Sequence, residues 1–386
     1  VYKRPLETMI RTLVVADFLP ASGVTTFVEN AFLKQRQGFS FSALAIAGDE
    51  SNKLHFEKAG WTFTDISPAN KNYIRHIKDW LKFARRNKHA FDIVYFNYSA
   101  SWNILPIFFC KFIMHAKIVV HGHNTYFGTE IHGVKKFALT VFHLIGKQIA
   151  ATFLIDSFVA VSNEAAKWMF PSRILRKNRV EVIPNGIDLS DYTFKRATRV
   201  KVREALDVQN KIVYATIGVL EMRKNISFAL DIFAAIIRRN PNSVLLVIGD
   251  GTQREMLKQK ARRLELGDSV RFLGRRKDLA QLYNAIDVLL FPSLNEGLSF
   301  TLIEAQANSL PVYVSDRVPL GNYLPNLVHV VKLSESSDSW SKRITATEKH
   351  VRVDESKRMK KIGYDQLDMR EHVLHLLEAL QGGNTE

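Results

Sequence analysis

The chain has 386 residues, of which 46% are hydrophobic and 24% charged, and Lys and Arg outnumber Asp and Glu by 54 to 38. These fractions are typical of a globular protein, and the length exceeds one ordinary hydrophobic core, so we expect two domains of roughly 150–200 residues. The sequence contains no run of about 18 uninterrupted apolar residues, which argues against a membrane-spanning helix.

The formal net charge of +16 predicts a polyanionic partner, such as nucleic acid, anionic lipid or a phosphorylated small molecule. We expect no nucleic acid partner, because no aromatic-studded basic sheet, zinc-ligand spacing or helix-turn-helix pattern accompanies the charge. The single cysteine, Cys110, excludes intramolecular disulfides and favours a cytoplasmic location. The first residues, VYKRPLETMI, are polar and do not resemble a secretory signal.

Apolar strand-like runs alternate with helical patterns along the chain, which predicts an α/β architecture with parallel sheets. The predicted strands of a first unit are TLVVADF, SALAIAG, DIVYFNY, KIVVHGH and SFVAVS. Those of a second unit are KIVYATIG, VLLVIGDG, VRFLG, DVLLFPS and LPVYVSD. Ligands of open α/β sheets bind beyond the carboxyl ends of the strands, so we expect the site there, in a cleft between the domains. The Ser-rich segment KLSESSDSWSKR, residues 332–343, predicts a surface loop.

Part of the positive charge lies in residues 71–88, KNYIRHIKDWLKFARRNK, which have helical periodicity. The predicted apolar face of this helix consists of Tyr73, Ile74, Ile77, Trp80, Leu81 and Ala84. The simplest interpretation is an amphipathic helix packed on a sheet, with a solvated basic face. The alternative is that the basic face contacts an anionic lipid leaflet, and the two interpretations are compatible.

Two carboxylates separated by seven residues, Glu296 and Glu304, lie in FPSLNEGLSFTLIEAQANSLPVYVSD, residues 291–316. This segment predicts the end of a buried strand, a loop, the start of a helix and a further strand. A helix start at a crevice presents unpaired backbone N–H groups and a positive dipole end, which suit a diphosphate. Glu296 in the loop would reach a sugar hydroxyl, and Glu304 one turn into the helix would hold a ribose. Taken alone, two such Glu residues are also common on solvated helices.

The segment resembles the Glu–seven–Glu signature of the family 4 retaining glycosyltransferases, and EGLSFTLIEAQANSLPV is especially similar to their exopolysaccharide and capsule branch. The resemblance implies a GT-B fold, in which two Rossmann-like domains face each other across a cleft and a C-terminal helix returns to the first domain. On this basis residues 1–190 form an acceptor-binding domain, residues 191–365 a nucleotide-sugar-binding domain, and residues 366–386 the returning helix. The phrases IPNGID and GYD resemble those that close the first domain and precede the last helix.

The phrase ATIGVLEMRKN resembles a family motif in which Gly-Arg precedes Lys-Asn. Lys224 at a helix start would neutralise diphosphate charge as the leaving group departs. Val219 stands where the family arginine is expected, so Arg223 or another basic side chain would have to compensate. After the first strand, Gly23 would let the backbone approach a phosphate, although a plain strand-to-helix turn is the alternative. The family has two adjacent glycines and an acidic residue here, where this chain has Ser-Gly and then Thr25.

His121 and His123 alternate in HGHNTYFG and would point the same way from a strand, as metal ligands can. No nearby Cys or acidic residue completes a ligand set, so we expect no metal and interpret His121 as structural. His123 matches the family position whose histidine lies under the donor sugar, and Asn124 belongs to a very similar family phrase.

From the resemblance, the predicted catalytic residues are His123, Lys224 and Glu296. The predicted donor-binding residues are Gly23, Asn124, Gly218, Arg223, Lys224, Gly249, Leu273, Gly274, Glu296, Gly297, Ser299, Phe300, Thr301, Leu302 and Glu304. Among them, the amides of residues 300–302 would hold the diphosphate, Gly249 would lie beside the nucleotide, and the backbone at residues 273–274 would contact the base.

The resemblance therefore implies a retaining transferase that moves a hexose or N-acetylhexosamine from a nucleoside diphosphate sugar, expected to be a UDP-sugar, to a saccharide acceptor. The acceptor is expected to be lipid-diphosphate-linked, in surface polysaccharide assembly. The enzyme would then lie on the inner face of the plasma membrane and use neither cofactor nor metal. Two alternatives remain at this point: a sugar-nucleotide epimerase on the same fold, and a non-catalytic donor-binding subunit, which Val219 favours.

Overall fold

The structure, a computed structural model, describes residues 9–20, 22–127, 131, 133–345 and 350–382. Contacts divide the chain into two compact units. The first unit ends at Gly186 and also includes the residues from Gln366 onward, and the second is Ile187–Asp365. The polar N-terminal segment up to residue 8 and residues 383–386 of the predicted last helix lie outside the described residues.

The described residues of the first unit form a seven-stranded parallel sheet with the strand order β3-β2-β1-β4-β5-β6-β7. Its strands are β1 (Ile10–Ala16), β2 (Phe39–Ala45), β3 (Thr62–Asp65), β4 (Ile93–Tyr98), β5 (Lys117–Gly122), β6 (Ser157–Ala160) and β7 (Val180–Val182). The helices that connect them are α1 (Gly23–Val28, continued by a π-helical segment, Glu29–Leu33), α2 (Lys53–Lys58), α3 (Tyr73–Arg86), α4 (Leu105–Phe112), α5 (Gly133–Phe153), α6 (Asn163–Met169) and α7 (Ser172–Arg176).

The second unit forms a six-stranded parallel sheet, within the described residues, in the order β10-β9-β8-β11-β12-β13. Its strands are β8 (Ile212–Ile217), β9 (Ser243–Ile248), β10 (Val270–Gly274), β11 (Val288–Phe291), β12 (Val312–Ser315) and β13 (Val328–Val331). Its helices are α8 (Leu189–Tyr192), α9 (Arg196–Ala205), α10 (Ile226–Ile237), α11 (Arg254–Arg263), α12 (Leu279–Ala285), α13 (Phe300–Ala307), α14 (Ser337–Thr345) and α15 (Ser356–Lys361). The final helix, α16 (Gln366–Gly382), belongs to the first unit, where Arg370 donates to the carbonyl of Asn30 at 2.9 Å.

The prediction of parallel sheets and Rossmann-like units is confirmed, and each predicted strand segment contains a strand. Both faces of the second sheet are covered: Tyr214 packs in one hydrophobic cluster, and its neighbours Val213 and Ala215 pack in the other. Because side chains alternate across a strand, only a strand buried on both sides reads as a continuous apolar run. The sequence analysis missed β3, β7 and β13, which are all edge strands. They are short and only partly buried, so their sequences lack that signal.

The prediction of a surface loop at residues 332–343 was wrong, because the second half of this segment belongs to α14. Trp340 is fully buried there and packs against Phe228, with the ring centroids 5.8 Å apart. The indole nitrogen of Trp340 also donates to the carbonyl of Lys332 at 3.1 Å. Trp340 and Ile344, which is also fully buried, thus anchor a helix whose other residues are polar, and the Ser-rich composition does not reveal this anchoring.

The predicted basic helix is α3, but part of its predicted apolar face was wrong. Its buried residues are His76, Trp80 and Ala84, whereas Ile74 is 70% exposed. His76 is buried because its ring nitrogens contact the carbonyl of Ser67 and the side chain of Asn103, at 2.8 and 3.0 Å. These hydrogen bonds satisfy a polar ring on the packed face, which a hydrophobicity pattern does not anticipate.

Helix α5 is the longest helix of the described residues, and its buried residues include the small Gly146, Ala150 and Ala151. At Gly146 the helix approaches the chain so closely that a Cβ atom would lie 2.0 Å from the carbonyl oxygen of Ser101. The backbone N–H of Ser101 donates to Nδ1 of His143, one turn earlier on the helix, at 3.0 Å. Burial lowers the pKa of His143 to about 4, consistent with a neutral ring that accepts this hydrogen bond. In the described part of the chain, no helix combines the length and the apolarity needed to cross a bilayer.

We predict that Gly146→Ala destabilises the first unit by about 1–3 kcal/mol, because the added methyl group would lie 2.0 Å from the backbone carbonyl oxygen of Ser101 and force the two segments apart. Urea unfolding monitored by circular dichroism measures the change. The matched control is Gly382→Ala, since a Cβ there would meet no atom within 4 Å. Equal stability of the two variants would contradict the close packing of α5.

Candidate functional site

A buried ion pair lies at the carboxyl edge of the second sheet. The ammonium nitrogen of Lys224 is 2.7 Å from Oε1 of Glu296, and the two residues are only 7% and 5% exposed. The guanidinium of Arg223 contacts Oε2 of the same carboxylate at 3.3 Å and also pairs with Glu221 at 3.2 Å. Burial lowers the pKa of Lys224, and the negative charge of Glu296 partly opposes that shift. Two basic side chains therefore converge on one carboxylate in a largely dehydrated position.

The segment that presents Lys224 is a tight turn rather than the start of a regular helix. Met222–Lys224 form a 3-10 turn, and Asn225 adopts a left-handed conformation, with φ of +52°, immediately before α10. Asn is among the few residues that adopt this conformation readily. The side chain of Asn225 donates to the carbonyl of Pro292 at 3.1 Å, and the N–H of Leu294 donates to the carbonyl of Arg223 at 2.7 Å. The turn is thus joined to the loop that carries Glu296.

The predicted glycines Gly218, Gly249 and Gly274 meet at the ends of β8, β9 and β10. The N–H of Gly249 donates to the carbonyl of Gly274 at 2.9 Å. A Cβ at Gly249, whose φ is +138°, would lie 1.9 Å from the carbonyl oxygen of Gly218. A Cβ at Gly218 would lie 3.0 Å from Cε of Lys224. These glycines therefore let the strand ends touch and leave room for the lysine. Leu273 lies half-buried in β10 beside them.

The predicted diphosphate-binding helix start is the beginning of α13, with Ser299 at the N-cap position. Gly297 and Ser299 are buried, and Phe300 and Thr301 form the first turn. The N–H of Leu302 donates to the carbonyl of Ser299 at 3.2 Å. This bond closes the first turn, so the Leu302 amide is engaged within the protein.

Glu304 lies one turn into α13 and is only 8% exposed. The hydroxyl of Tyr283 donates to its Oε2 at 2.8 Å, and that of Tyr192 donates to its Oε1 at 3.1 Å. Burial raises the pKa of Glu304, and this effect outweighs the opposing effects of the two hydroxyls and of Lys224. The sequence analysis missed both tyrosines. A buried carboxylate needs donors, but nothing in the spacing identifies which side chains supply them.

His123 lies in the first unit, at the carboxyl end of β5. Its Nε2 is 2.9 Å from the side-chain oxygen of Asn97, whose amide nitrogen donates to the carbonyl of Val15 at 3.1 Å. Because the oxygen of Asn97 accepts, Nε2 of His123 carries the hydrogen. Burial lowers the pKa of His123 to about 3, so the ring is neutral at physiological pH. Asn97 was missed, since an Asn inside an apolar strand has no motif to mark it.

His121 is fully buried, and its Nδ1 is 2.9 Å from the hydroxyl of Tyr95. Its ring centroid lies 4.2 Å from that of His123. Within the described residues, no group of three or more His, Cys, Asp or Glu side chains has the arrangement of a metal site. Nearby in sequence, the side chain of Asn124 donates to the hydroxyl of Ser99 at 2.7 Å.

Gly23 begins α1, and Ser22 caps this helix by accepting the N–H of Val24 at 3.2 Å. The sequence departs from the family here, but an acidic side chain still reaches the loop. Asp17, from the end of β1, accepts hydrogen bonds from the hydroxyls of Ser22 and Thr25 at 2.7 and 3.1 Å. Burial raises the pKa of Asp17, while these hydrogen bonds lower it. Sequence reasoning missed Asp17, because it looked for a carboxylate only after the glycine.

We predict that Glu304→Gln stabilises the second unit at pH 7, by about 2–4 °C in the unfolding midpoint. The folded-state pKa of Glu304 is raised, so the stability that its protonated form contributes is present at acidic pH and is lost as the pH rises through that pKa. The difference between the two proteins should therefore shrink as the pH falls towards 4. Thermal unfolding across this range measures it, with Glu57→Gln, an exposed carboxylate, as control. A difference that grows in acid would contradict the assignment.

Comparison with known proteins gives two family matches. The model for glycosyl transferases group 1 matches residues 199–366, and the model for Glycosyltransferase Family 4 matches residues 35–191. The chain is 29% identical to the putative glycosyltransferase EpsF of Bacillus subtilis, over 58% of each chain. It is 28% identical to the UDP-Gal:alpha-D-GlcNAc-diphosphoundecaprenol alpha-1,3-galactosyltransferase of Escherichia coli, over 44% of this chain and 45% of that protein. The chain thus spans about half the length of these curated relatives.

Among solved structures, Anabaena Alr3699/HepE in complex with UDP-glucose superposes with a TM-score of 0.73 at 18% identity, over 96% of this chain and 100% of that one. This likeness shows a shared fold. The two family matches together span most of the chain. The chain thus has the GT-B fold of two Rossmann-like domains, and each of its two units matches a glycosyltransferase family model.

Proposed function

We propose that this protein transfers a hexose or N-acetylhexosamine from a UDP-sugar to a saccharide acceptor with retention of anomeric configuration. The observation that carries the proposal is the convergence of Lys224 and Arg223 on Glu296, beside the glycine turns of the second sheet. A leaving nucleoside diphosphate is a dianion or trianion, and fixed cations in a dehydrated site stabilise its departure. UDP as the nucleotide is supported by the E. coli relative, which is named a UDP-Gal galactosyltransferase, and by the Anabaena structure, which is a complex with UDP-glucose.

In the proposed reaction, the bond between the anomeric carbon and the diphosphate oxygen breaks, and its electron pair leaves with the UDP. The acceptor hydroxyl attacks on the face that the UDP is vacating and gives its proton to a diphosphate oxygen, so configuration is retained. Lys224 and Arg223 stabilise the developing negative charge. Glu296 orients the donor sugar and, through its ion pairs, also orients both cations.

Two other residues complete the proposed roles. Glu304 would accept the ribose hydroxyls, and the phenols of Tyr192 and Tyr283 hold its carboxylate in a fixed orientation. His123 would line the donor sugar at the oxocarbenium-like centre. A neutral imidazole suits this position, since a protonated ring would repel the positive charge that develops on the sugar. The proposal assigns no role to a metal or cofactor.

The proposed acceptor is a lipid-diphosphate-linked saccharide in the assembly of a surface polysaccharide, at the cytoplasmic face of the membrane. Support comes from the E. coli relative, whose name includes diphosphoundecaprenol, and from the resemblance of EGLSFTLIEAQANSLPV to the exopolysaccharide branch. The net charge of +16 favours attraction to an anionic membrane surface.

A non-catalytic donor-binding subunit is the second candidate, because Val219 replaces the arginine that the resemblance leads us to expect. The contact between Arg223 and Glu296 favours the enzyme instead, since it places a guanidinium beside Lys224 by another route. A sugar-nucleotide epimerase would produce epimerised donor without an equivalent amount of free UDP, so product analysis separates it from a transferase.

The first test is a panel of nucleotide sugars in a thermal unfolding assay, which needs no acceptor. We expect UDP-sugars to raise the unfolding midpoint, since a ligand at about 100 times its Kd stabilises by about 2.7 kcal/mol. Sugars linked to other nucleotides should protect less, and Glu304→Ala should lose the protection. Equal protection by every nucleotide sugar, or by none, would count against the proposal.

We predict that Lys224→Ala lowers turnover by at least about 10-fold, because one fixed cation beside the leaving group is lost. UDP release in the presence of acceptor measures turnover. Lys342→Ala, which removes an exposed lysine of α14, is the matched control and should leave turnover unchanged. We expect Lys224→Ala to fold, because Glu296 retains Arg223 as a partner. Circular dichroism checks that it does. Unchanged turnover in a folded variant would remove Lys224 from the site.

A further inference from the structure

Helix α5 exposes an unusually apolar surface. Six of its large apolar side chains are at least half exposed, with fractions from 50% for Leu144 to 85% for Val134. We call this set the α5 face: Val134, Phe137, Phe142, Leu144, Ile145 and Phe153. Contiguous exposed apolar surface of this kind marks an interaction site in a folded protein.

The opposite side of α5 is occupied by the helix's own packing. The buried residues His143, Gly146, Ala150 and Ala151 hold the helix against the first unit, and Gly146 brings it into backbone contact with Ser101. The α5 face therefore points outward as a consequence of how the helix is anchored. The described part of the chain leaves this face uncovered.

The charges of α5 indicate what covers the face. The helix contains no Asp or Glu, and its first turns carry the exposed residues Lys135 and Lys136. Its other exposed polar side chains are those of Gln148 and Thr152. An apolar half with lysines at one end, and without acidic residues, complements an anionic lipid surface, where apolar side chains enter the headgroup boundary and lysines contact phosphates. A helix of 21 residues is about 31 Å long, so a single protein partner would need a groove of that length, whereas a bilayer imposes no such requirement.

The position of α5 connects the face to the proposed site. Helix α5 follows β5, so its first turn begins at the carboxyl edge of the sheet, the edge where His123 lies. A Cβ at Gly146 would lie 3.2 Å from the side chain of Ile104, the residue before α4. Two apolar side chains of α4, those of Leu105 and Phe108, are also partly exposed, at 39% and 44%.

We propose that α5 lies in the interface of an anionic bilayer and, with the start of α4, forms the membrane-binding surface of the protein. Membrane binding through α5 would bring a lipid-linked acceptor to the sheet edge that carries His123. This part of the inference rests on the proposed function, which supplies the lipid-linked acceptor. The proposal also replaces α3 as the principal contact. On α3 the more exposed large apolar side chains are those of Tyr73 and Ile74, while Trp80 is buried.

Vesicle flotation of the full chain tests the surface, with phosphatidylcholine alone and with phosphatidylcholine and phosphatidylglycerol at a ratio of about 7:3. The variant combines Phe137→Ser, Phe142→Ser and Ile145→Ser, and we expect at least about a 10-fold loss of partitioning onto the anionic vesicles. The matched control combines Leu54→Ser, Val200→Ser and Val351→Ser, three exposed apolar residues elsewhere, and should partition like the wild type. Equal loss in both variants, or no loss in the first, would overturn the proposal.

Charge reversal separates α5 from α3. Lys135→Glu with Lys136→Glu should weaken binding to anionic vesicles, whereas Lys78→Glu with Lys82→Glu on α3 should have the smaller effect. The opposite ranking would overturn the assignment to α5. Both pairs are exposed, so loss of folding is not expected to confuse the comparison.

A site-specific label provides a second measurement that does not depend on loss of binding. Cys110 is fully buried and burial raises the pKa of its thiol, so a new surface cysteine is labelled selectively. An environment-sensitive dye on Phe142→Cys should shift to the blue with anionic vesicles, and the same dye on Leu54→Cys should not. A shift that instead follows protein concentration without vesicles would show that the α5 face pairs with a second copy of the chain, which overturns the proposal.

Thermal protection by UDP-sugars, measured on the same variants, keeps the two proposals distinguishable. Vesicle binding through α5 without donor protection would contradict the transferase and support the membrane surface. Donor protection together with vesicle binding that does not depend on α5 would support the transferase and contradict the membrane surface.

Discussion

The contact between Lys224 and Glu296 is the constraint on which the rest of the candidate site depends. Removing two charges from water is costly, and their attraction offsets that cost only when the geometry is good. The chain meets this requirement with several local features: the left-handed Asn225, its bond to Pro292, and a glycine at residue 218 that leaves room for the lysine. None of these features is needed for a parallel sheet. Together they describe a site whose local structure is arranged around charge.

The same feature recurs at Glu304 and at His123. Each is a polar side chain buried beside a strand end or helix start, and each is held by donors or acceptors from a different element. Burial opposes ionisation of Glu304 and of His123 alike. Such positions lower the stability of the folded chain, and groups whose ionisation is perturbed in this way cluster at functional sites. The apolar interior of the second sheet provides stability, and the buried polar groups at its carboxyl edge lower that stability.

Much of the fold follows from the sequence because central parallel strands are buried on both faces and read as continuous apolar runs. The proximity of Lys224 to Glu296 was also predictable, since both follow strands whose carboxyl ends share an edge. What the sequence did not reveal has a common cause. Tyr192, Tyr283 and Asn97 act as hydrogen-bond partners across long sequence separations, and no local pattern encodes such pairs. The edge strands β3, β7 and β13 were missed because they are short and only partly buried, and α14 was missed because its apolar side chains are limited to Trp340 and Ile344.

The contact between Gly218 and Gly249 has a consequence for redesign. With the two backbones this close, no side chain larger than hydrogen fits at residue 249. Residue 249 therefore cannot be substituted to change which sugar the protein binds. The segment from Leu294 to Leu298 lies between β11 and α13, and in it the side chain of Asn295 is exposed. Libraries aimed at donor preference are best begun at Asn295, with its buried neighbours Glu296 and Gly297 held constant.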